Sequence, residues 1–84
     1  MRKLKIAKVY WRDATHYHST DDISWFEKKA HTSNIVIVGR IIRAGRKEIV
    51  IAHEIDEDDK ARDVSVIPRE NISKIEYLVE KVNH

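Results

Sequence analysis

The segment from Ser65 to Ile75 constrains the fold most, because two short apolar runs are separated there by a proline and a polar turn. Residues 64–67 are rich in β-branched side chains, which favour strands. Pro68 has no backbone N–H and ends the pairing of a strand. Residues 69–71 are typical of a tight turn, after which apolar residues resume. The segment therefore predicts a short strand over 64–67 and a last strand over 72–79.

The N-terminal half predicts three further strands. Residues 3–12 alternate between apolar and polar, but the parity slips around Ala7, which indicates a β-bulge or a late strand start. Residues 35–42 are apolar in both registers except at Gly39 and Arg40. That pattern is typical of a strand buried on both faces or lying at a barrel closure. A turn over 43–46 and a strand over 47–53 complete a hairpin.

The connecting segments are polar and two of them are long. Residues 13–33 predict a loop that contains a short helix over 22–29, with Asp21 or Asp22 as its N-cap. The acidic run 54–63 predicts a solvated loop, because so many carboxylates are not buried unpaired. Residues 81–84 are expected to fray. Five strands with these connections favour an all-β small barrel, open or closed, over a sandwich.

Length and composition limit the class of protein further. At 84 residues the chain is expected to be one domain, 1–84, near the size at which oligomerisation assists a small core. It has no cysteine, and no apolar N-terminal run long enough for a signal peptide or a membrane span, which predicts a soluble cytoplasmic protein without a membrane partner. The high charged fraction and the absence of glutamine are typical of heat-adapted proteins.

The charges are unevenly distributed, although the net charge is only +2. Residues 1–12 contain five cations and no acid, whereas residues 54–63 contain six acids and two cations. A surface with two signs suits either electrostatic steering of a polyanion or head-to-tail self-association.

One motif connects the chain to a known family. The run from Ile67 to Ile72, followed by Ile75, has the spacing of the second Sm motif, and Gly39 matches the glycine of the first. On these residues the chain resembles the Sm, Sm-like and bacterial host-factor RNA chaperones. The resemblance implies a strongly bent five-stranded barrel of Sm-like or SH3-like type, ring assembly and RNA binding. The chain departs from the family at Pro68-Arg69, where the motif has arginine and glycine, and residues 45–49 lack the base-contacting Asp and Asn.

A second pattern extends over most of the chain. It consists of Trp11-Arg12-Asp13-Ala14, Ser24-Trp25, Gly39, Ile51-Ala52 and Ile67-Pro68, followed by Ile72, Ile75 and Leu78. In these residues the chain is similar to small phage-encoded or prophage-encoded proteins with a W-x-D-A opening. That similarity implies a viral or mobile-element origin, with the host cytoplasm as the location, and brings no activity with it.

No group of residues in the sequence specifies catalysis. His16, His18 and His31 are possible metal ligands, but two nearby histidines without a spaced third ligand are more typical of a solvated loop. The acidic run lacks the glycine that a calcium loop needs. No local motif marks a nucleophile. We therefore expect no catalytic residue, no metal, no cofactor and no enzymatic activity.

The candidate binding residues are cations near the central hairpin and the last turn. They are Arg40, Arg43, Arg46, Lys47 and Arg69. Basic side chains bind phosphates, and Tyr10, Trp11 and Trp25 are the rings on which bases would stack. For both tryptophans a place in the core is favoured, since a small barrel needs large apolar groups.

Two functions follow as hypotheses. The first is a non-enzymatic, oligomeric Sm-like barrel that binds RNA or single-stranded nucleic acid through this basic face. The second is a protein-interaction or assembly module, in which subunits form a homo-oligomer through edge strands without nucleic acid.

Overall fold

Residues 3–79 are described by a computed structural model, and their strands form a single antiparallel sheet. The strands are β1 (Ile6–Asp13), β2 (Ser33–Ala44), β3 (Glu48–Ile55), β4 (Ala61–Pro68) and β5 (Ile72–Leu78). Helix α1 (Ile23–Lys29) lies between β1 and β2, and a 3-10 turn (Arg69–Asn71) joins β4 to β5. The mainly β class, the five strands and the short helix are confirmed. The fraying predicted for 81–84 lies outside the described residues.

The sheet must bend sharply, because its two edge strands are consecutive in the chain. The order across the sheet is β4-β3-β2-β1-β5. β1 pairs with the first part of β2, where Trp11 lies opposite Ile35, and β3 pairs with the last part, where Ile49 lies opposite Ala44. A straight strand would separate those two ends of β2 by about 30 Å. The link from β4 to β5 spans at most about 14 Å, so β2 has to curve back on itself.

The bend falls near the middle of β2, where the register to β3 shifts between Ile41 and Arg43. Just before it, Gly39 passes very close to β3. A Cβ atom on Gly39 would collide with the carbonyl oxygen of Ala52 and crowd the side chain of Ile51. Glycine is therefore required here by the close approach of two strands.

Bending does not close the sheet within residues 3–79. β4 and β5 pair only with β3 and β1 respectively, so each leaves one edge open. Residues 3–79 thus form a bent five-stranded sheet with two edges and not a closed barrel. Its strand order follows from the hairpins β2–β3 and β3–β4, both of which join neighbours.

The concave face of the sheet holds a small core. Its fully or nearly fully buried side chains come from β1 to β4: Ala7, Val9, Ile37, Ile41, Ile49, Ile51, Ala52 and Ile67. Trp11, Ile72 and Ile75 are partly buried and pack against them. The radius of gyration is 16.8 Å, against about 12 Å for a compact chain of this length. Much of the chain therefore lies away from the core.

The prediction about β1 is met in one of its alternatives, and the prediction about β2 needs correction. β1 begins late, at Ile6, which explains the slip around Ala7, and its register against β5 shifts between Tyr10 and Trp11. β2 is not buried on both faces, because Val36 and Val38 are 50% and 46% exposed on the outer face. These two valines therefore point away from the core.

The acidic run is shorter as a loop than predicted. β3 continues to Ile55 and β4 starts at Ala61, which leaves only residues 56–60 as the turn. The Asp56 carboxylate accepts hydrogen bonds from the backbone N–H groups of Asp58 and Lys60, both at 2.9 Å. Glu54 lies opposite Arg62 across the hairpin, with 3.6 Å between their charged atoms. Hairpin pairing therefore extends into a segment whose charges remain in solvent.

The close approach at Gly39 makes a prediction about stability. Gly39→Ala should lower the free energy of unfolding by about 1–3 kcal/mol, because the strands must separate to admit the methyl group. Denaturant unfolding measures the change. Gly45→Ala is the milder comparison, since a Cβ there lies 3.1 Å from the Glu48 carbonyl oxygen, a tight contact but less severe than the one at Gly39, and its effect should be smaller. Equal effects of the two variants would contradict the assignment.

Candidate nucleic-acid interface

Arg69 connects the two turns that lie at one end of the bent sheet. Its backbone N–H donates to the carbonyl oxygen of Lys47 at 2.8 Å, and its side-chain Nε donates to the carbonyl oxygen of Gly45 at 2.9 Å. The antiparallel pairing of β3 with β4, in which Glu48 lies opposite Pro68, makes the β2–β3 turn and the β4–β5 turn neighbours. We call the surface formed by Arg43, Arg46, Lys47 and Arg69 the basic tip.

The cations of the basic tip differ in how far they are neutralised. Arg43 donates from Nη2 to the Glu48 carboxylate at 2.6 Å, which offsets its charge. Arg46 and Lys47 are exposed and form no side-chain hydrogen bond or ion pair within residues 3–79. Arg69 is also exposed and holds the two turns together. The tip therefore presents Arg46 and Lys47 to an anion, with Arg69 beside them.

Arg40 does not belong to this surface. It lies before the bend of β2, opposite Ile6 and Ala52, and its Nη1 donates to the carbonyl oxygen of Leu4 at 3.0 Å. It lines a separate cavity together with residues 53–56 of β3 and the turn after it and residues 60–62 around the start of β4. Four of the five predicted binding residues are thus brought together, and the fifth fastens the N-terminal segment to β2.

The two tryptophans have different environments. Trp11 packs against the core, and its indole Nε1 is buried with no hydrogen-bond partner among the described residues. Trp25 is 38% exposed on α1, a helix without buried residues. It forms edge-to-face contacts with Tyr17 and Phe26, at ring-centroid distances of 5.9 and 5.2 Å. The core position favoured for Trp11 agrees with this packing, whereas the one favoured for Trp25 is wrong, because the helix lies outside the sheet's core.

Tyr10 lies in a charged cluster on the outer face of the sheet, where β1 pairs with β5. The Nζ atoms of Lys8 and Lys74 lie 5.3 and 5.6 Å from its ring centroid, within the range of cation–π attraction. Lys74 also pairs with Glu76 at 2.6 Å. The sequence contained a signal for this cluster, since Lys8 and Tyr10 share one parity, as do Lys74 and Glu76, and the β1–β5 pairing brings both pairs together.

Hydrogen bonding within the cluster moves three pKa values. The hydrogen bond from Lys74 lowers the pKa of Glu76, and the same bond raises the pKa of Lys74. The pKa of Lys8 is raised chiefly by its hydrogen bond with Tyr10. Lys74 is exposed and Lys8 and Glu76 are partly exposed, so these effects are screened. The ion pair neutralises Lys74 and leaves the charge of Lys8, which lies outside the basic tip.

The three histidines considered as metal ligands, His16, His18 and His31, lie in the segment between β1 and β2. His16 and His18 have ring centroids 4.5 Å apart, and His31 interacts through Nδ1 with the carbonyl oxygen of Thr32 at 2.8 Å. Within residues 3–79, no three His, Cys, Asp or Glu side chains converge as a metal site would require.

Comparisons with known proteins give no relative from which a role could be transferred. The chain matches no family model, no curated protein and no solved structure. Among residues 3–79, no helix is long and apolar enough to cross a membrane. The assignment of the candidate interface therefore rests on the positions and charges of its own residues.

The lowered pKa of Glu76 predicts a pH dependence of stability. A carboxyl group whose folded pKa is depressed stabilises the fold above its unfolded pKa, and this contribution is lost as the pH falls through the folded pKa. Glu76→Gln should therefore be less stable than the parent near neutral pH, and the two should converge in acid. Urea unfolding between neutral and acidic pH measures the difference. If the difference in the free energy of unfolding between the two proteins stayed constant with pH, the ion pair with Lys74 would not contribute to stability through the pKa of Glu76.

Proposed function

We propose that this protein binds RNA or another single-stranded nucleic acid at the basic tip, without enzymatic activity. The observation that carries the proposal is the bonding of Arg69 to Gly45 and Lys47. It brings cations from two turns, distant in sequence, onto one exposed surface. Neither turn is buried, so a flexible polyanion has access to both.

The chemistry of the tip favours contacts to phosphates. The two turns, 43–47 and 69–71, contain arginine and lysine but no aromatic residue, so bases have no ring there on which to stack. Contacts to phosphates position a nucleic acid but carry little sequence information. We therefore expect weak base preference and an affinity that falls steeply with salt, because binding releases counterions.

We also propose a fold type, an origin and a location for this protein. The sharp bend of β2 and the tip formed by two turns support a small barrel of Sm-like or SH3-like type. The motif from Ile67 to Ile75 supports the Sm-like form, and the W-x-D-A pattern supports a viral or mobile-element origin and a place in the host cytoplasm. The charged, isoleucine-rich composition supports heat adaptation.

A second candidate function is assembly into a homo-oligomer. Its support is the presence of two open edge strands with exposed apolar side chains, Val64 and Val66 on β4 and Tyr77 and Leu78 on β5. Open edges offer unpaired backbone groups to another strand. The small core adds to this argument, since further burial would stabilise a chain of this size.

Charge reversal tests the nucleic-acid proposal. Arg46→Glu combined with Lys47→Glu should weaken binding of a mixed-sequence single-stranded RNA by at least about tenfold at moderate salt. It should also reduce the slope of log affinity against log salt by about 1.4, since each phosphate contact on a single strand contributes about 0.7. Fluorescence anisotropy across a salt series measures both quantities.

A matched control is available on α1. Lys28→Glu combined with Lys29→Glu changes the net charge equally, at two exposed positions outside the sheet. This variant should keep most of the affinity. Equal losses of affinity in both variants would show that only the net charge matters, and would refute the basic tip as the binding site. Absence of RNA binding by the parent protein would refute the proposed function itself.

A further inference from the structure

The free edge of β4 combines three features that together specify a partner. Val66 is 56% exposed and Val64 is 45% exposed, both on the outer face of an edge strand. Val36 and Val38 are similarly exposed, but they lie on the first part of β2, where β1 pairs on one side and the pairing with β3 begins only at Arg40. At β4 the two exposed valines lie on an edge strand whose outer side pairs with no strand within residues 3–79.

The unpaired backbone groups of this edge belong to the same valines. The N–H group of Arg69 points to β3, where it bonds to Lys47. In an antiparallel strand, successive residues direct their backbone groups to alternate sides. Val66 and Val64 therefore direct their N–H and C=O groups away from β3. Asp63, with a φ of 55°, interrupts this alternation and limits the clean edge to the second half of β4.

The two ends of β4 carry opposite charge. Beyond its first residue lies the acidic turn, residues 56–60, with Asp56, Glu57, Asp58 and Asp59 exposed to solvent. Beyond its last residue lies the basic tip, where Arg46 and Lys47 are exposed. An antiparallel neighbour of the same sequence would place its acidic turn beside this basic tip, and its basic tip beside this acidic turn.

We propose that two copies of this chain associate through antiparallel pairing of β4 with β4, about a two-fold axis at Ser65. In this register Val64 of one copy lies opposite Val66 of the other. The backbone groups of these residues exchange hydrogen bonds, and four valines form an apolar cluster on the outer face. The interface is isologous, so both charge contacts form at once. The proposal rests on the assembly function and specifies its edge and its symmetry.

Cysteine cross-linking tests the symmetry. The chain has no cysteine, so Ser65→Cys introduces a single thiol at the proposed axis. Residues opposite each other in a non-hydrogen-bonded pair have Cα atoms about 4.5 Å apart, within the range that a disulfide accepts. Under mild oxidation, Ser65→Cys should become a disulfide-linked dimer. Ser73→Cys, at an exposed position on the other edge strand, should remain mostly uncrosslinked.

Solution mass separates this proposal from assembly in general. Light scattering of the parent protein should give twice the monomer mass. A larger mass without cross-linking of Ser65→Cys would overturn the two-fold pairing while leaving assembly intact. A monomer at all concentrations would overturn both, and cross-linking of Ser73→Cys in place of Ser65→Cys would assign the interface to β5.

A pair of surface variants completes the test. Val66→Lys should convert the dimer to a monomer, because it puts two like charges into the apolar cluster. Val36→Lys makes the same change at a position of similar exposure on β2 and should leave the dimer unchanged. Circular dichroism checks that both variants remain folded. Persistence of the dimer in a folded Val66→Lys variant would contradict the proposal.

Discussion

The three-residue connection between β4 and β5 is the constraint on which the rest of this structure depends. These strands lie at opposite edges of the sheet, yet the chain between them is too short to cross a flat sheet. β2 must therefore bend, and the bend requires Gly39 where β2 approaches the backbone of β3. The pairing of β3 with β4, in which Glu48 lies opposite Pro68, places the β2–β3 turn next to Arg69. The basic tip is thus a consequence of strand pairing, before any side chain in it is considered.

Local chemistry was sufficient to predict the strands and the tight turns. Proline at 68, the polar triplet after it and the β-branched runs on both sides act over a few residues, and the hairpin 43–53 is similarly local. Features that depend on pairing across strands were not accessible in the same way. The extension of β3 and β4 into the acidic run relies on Glu54 facing Arg62 and on the Asp56 carboxylate bonding to the turn. Neither contact can be read from composition.

The candidate site was predicted in part for the same reason. Arg43, Arg46 and Lys47 are neighbours in sequence, so their proximity was certain, whereas the addition of Arg69 depends on the register of β3 against β4. Arg40 was grouped with them by sequence distance, but it precedes the bend and bonds to Leu4 instead. Trp25 was assigned to the core by size alone, although its helix packs mainly through its own aromatic neighbours. Sequence proximity is thus a good guide within a hairpin and a poor one across a bent strand.

The two proposals make competing use of the basic tip. In the two-fold assembly, the acidic turn of one copy lies beside Arg46 and Lys47 of the other, where a nucleic acid would place its phosphates. Carboxylates and phosphates cannot both occupy these cations without repulsion. Linkage then requires that a polyanion binding to the tip weakens the dimer, and that dimer formation lowers the affinity for the polyanion by the same factor. Salt weakens both charge contacts, whereas the backbone pairing and valine cluster of β4 persist, so raising the salt concentration should favour the dimer over the nucleic-acid complex.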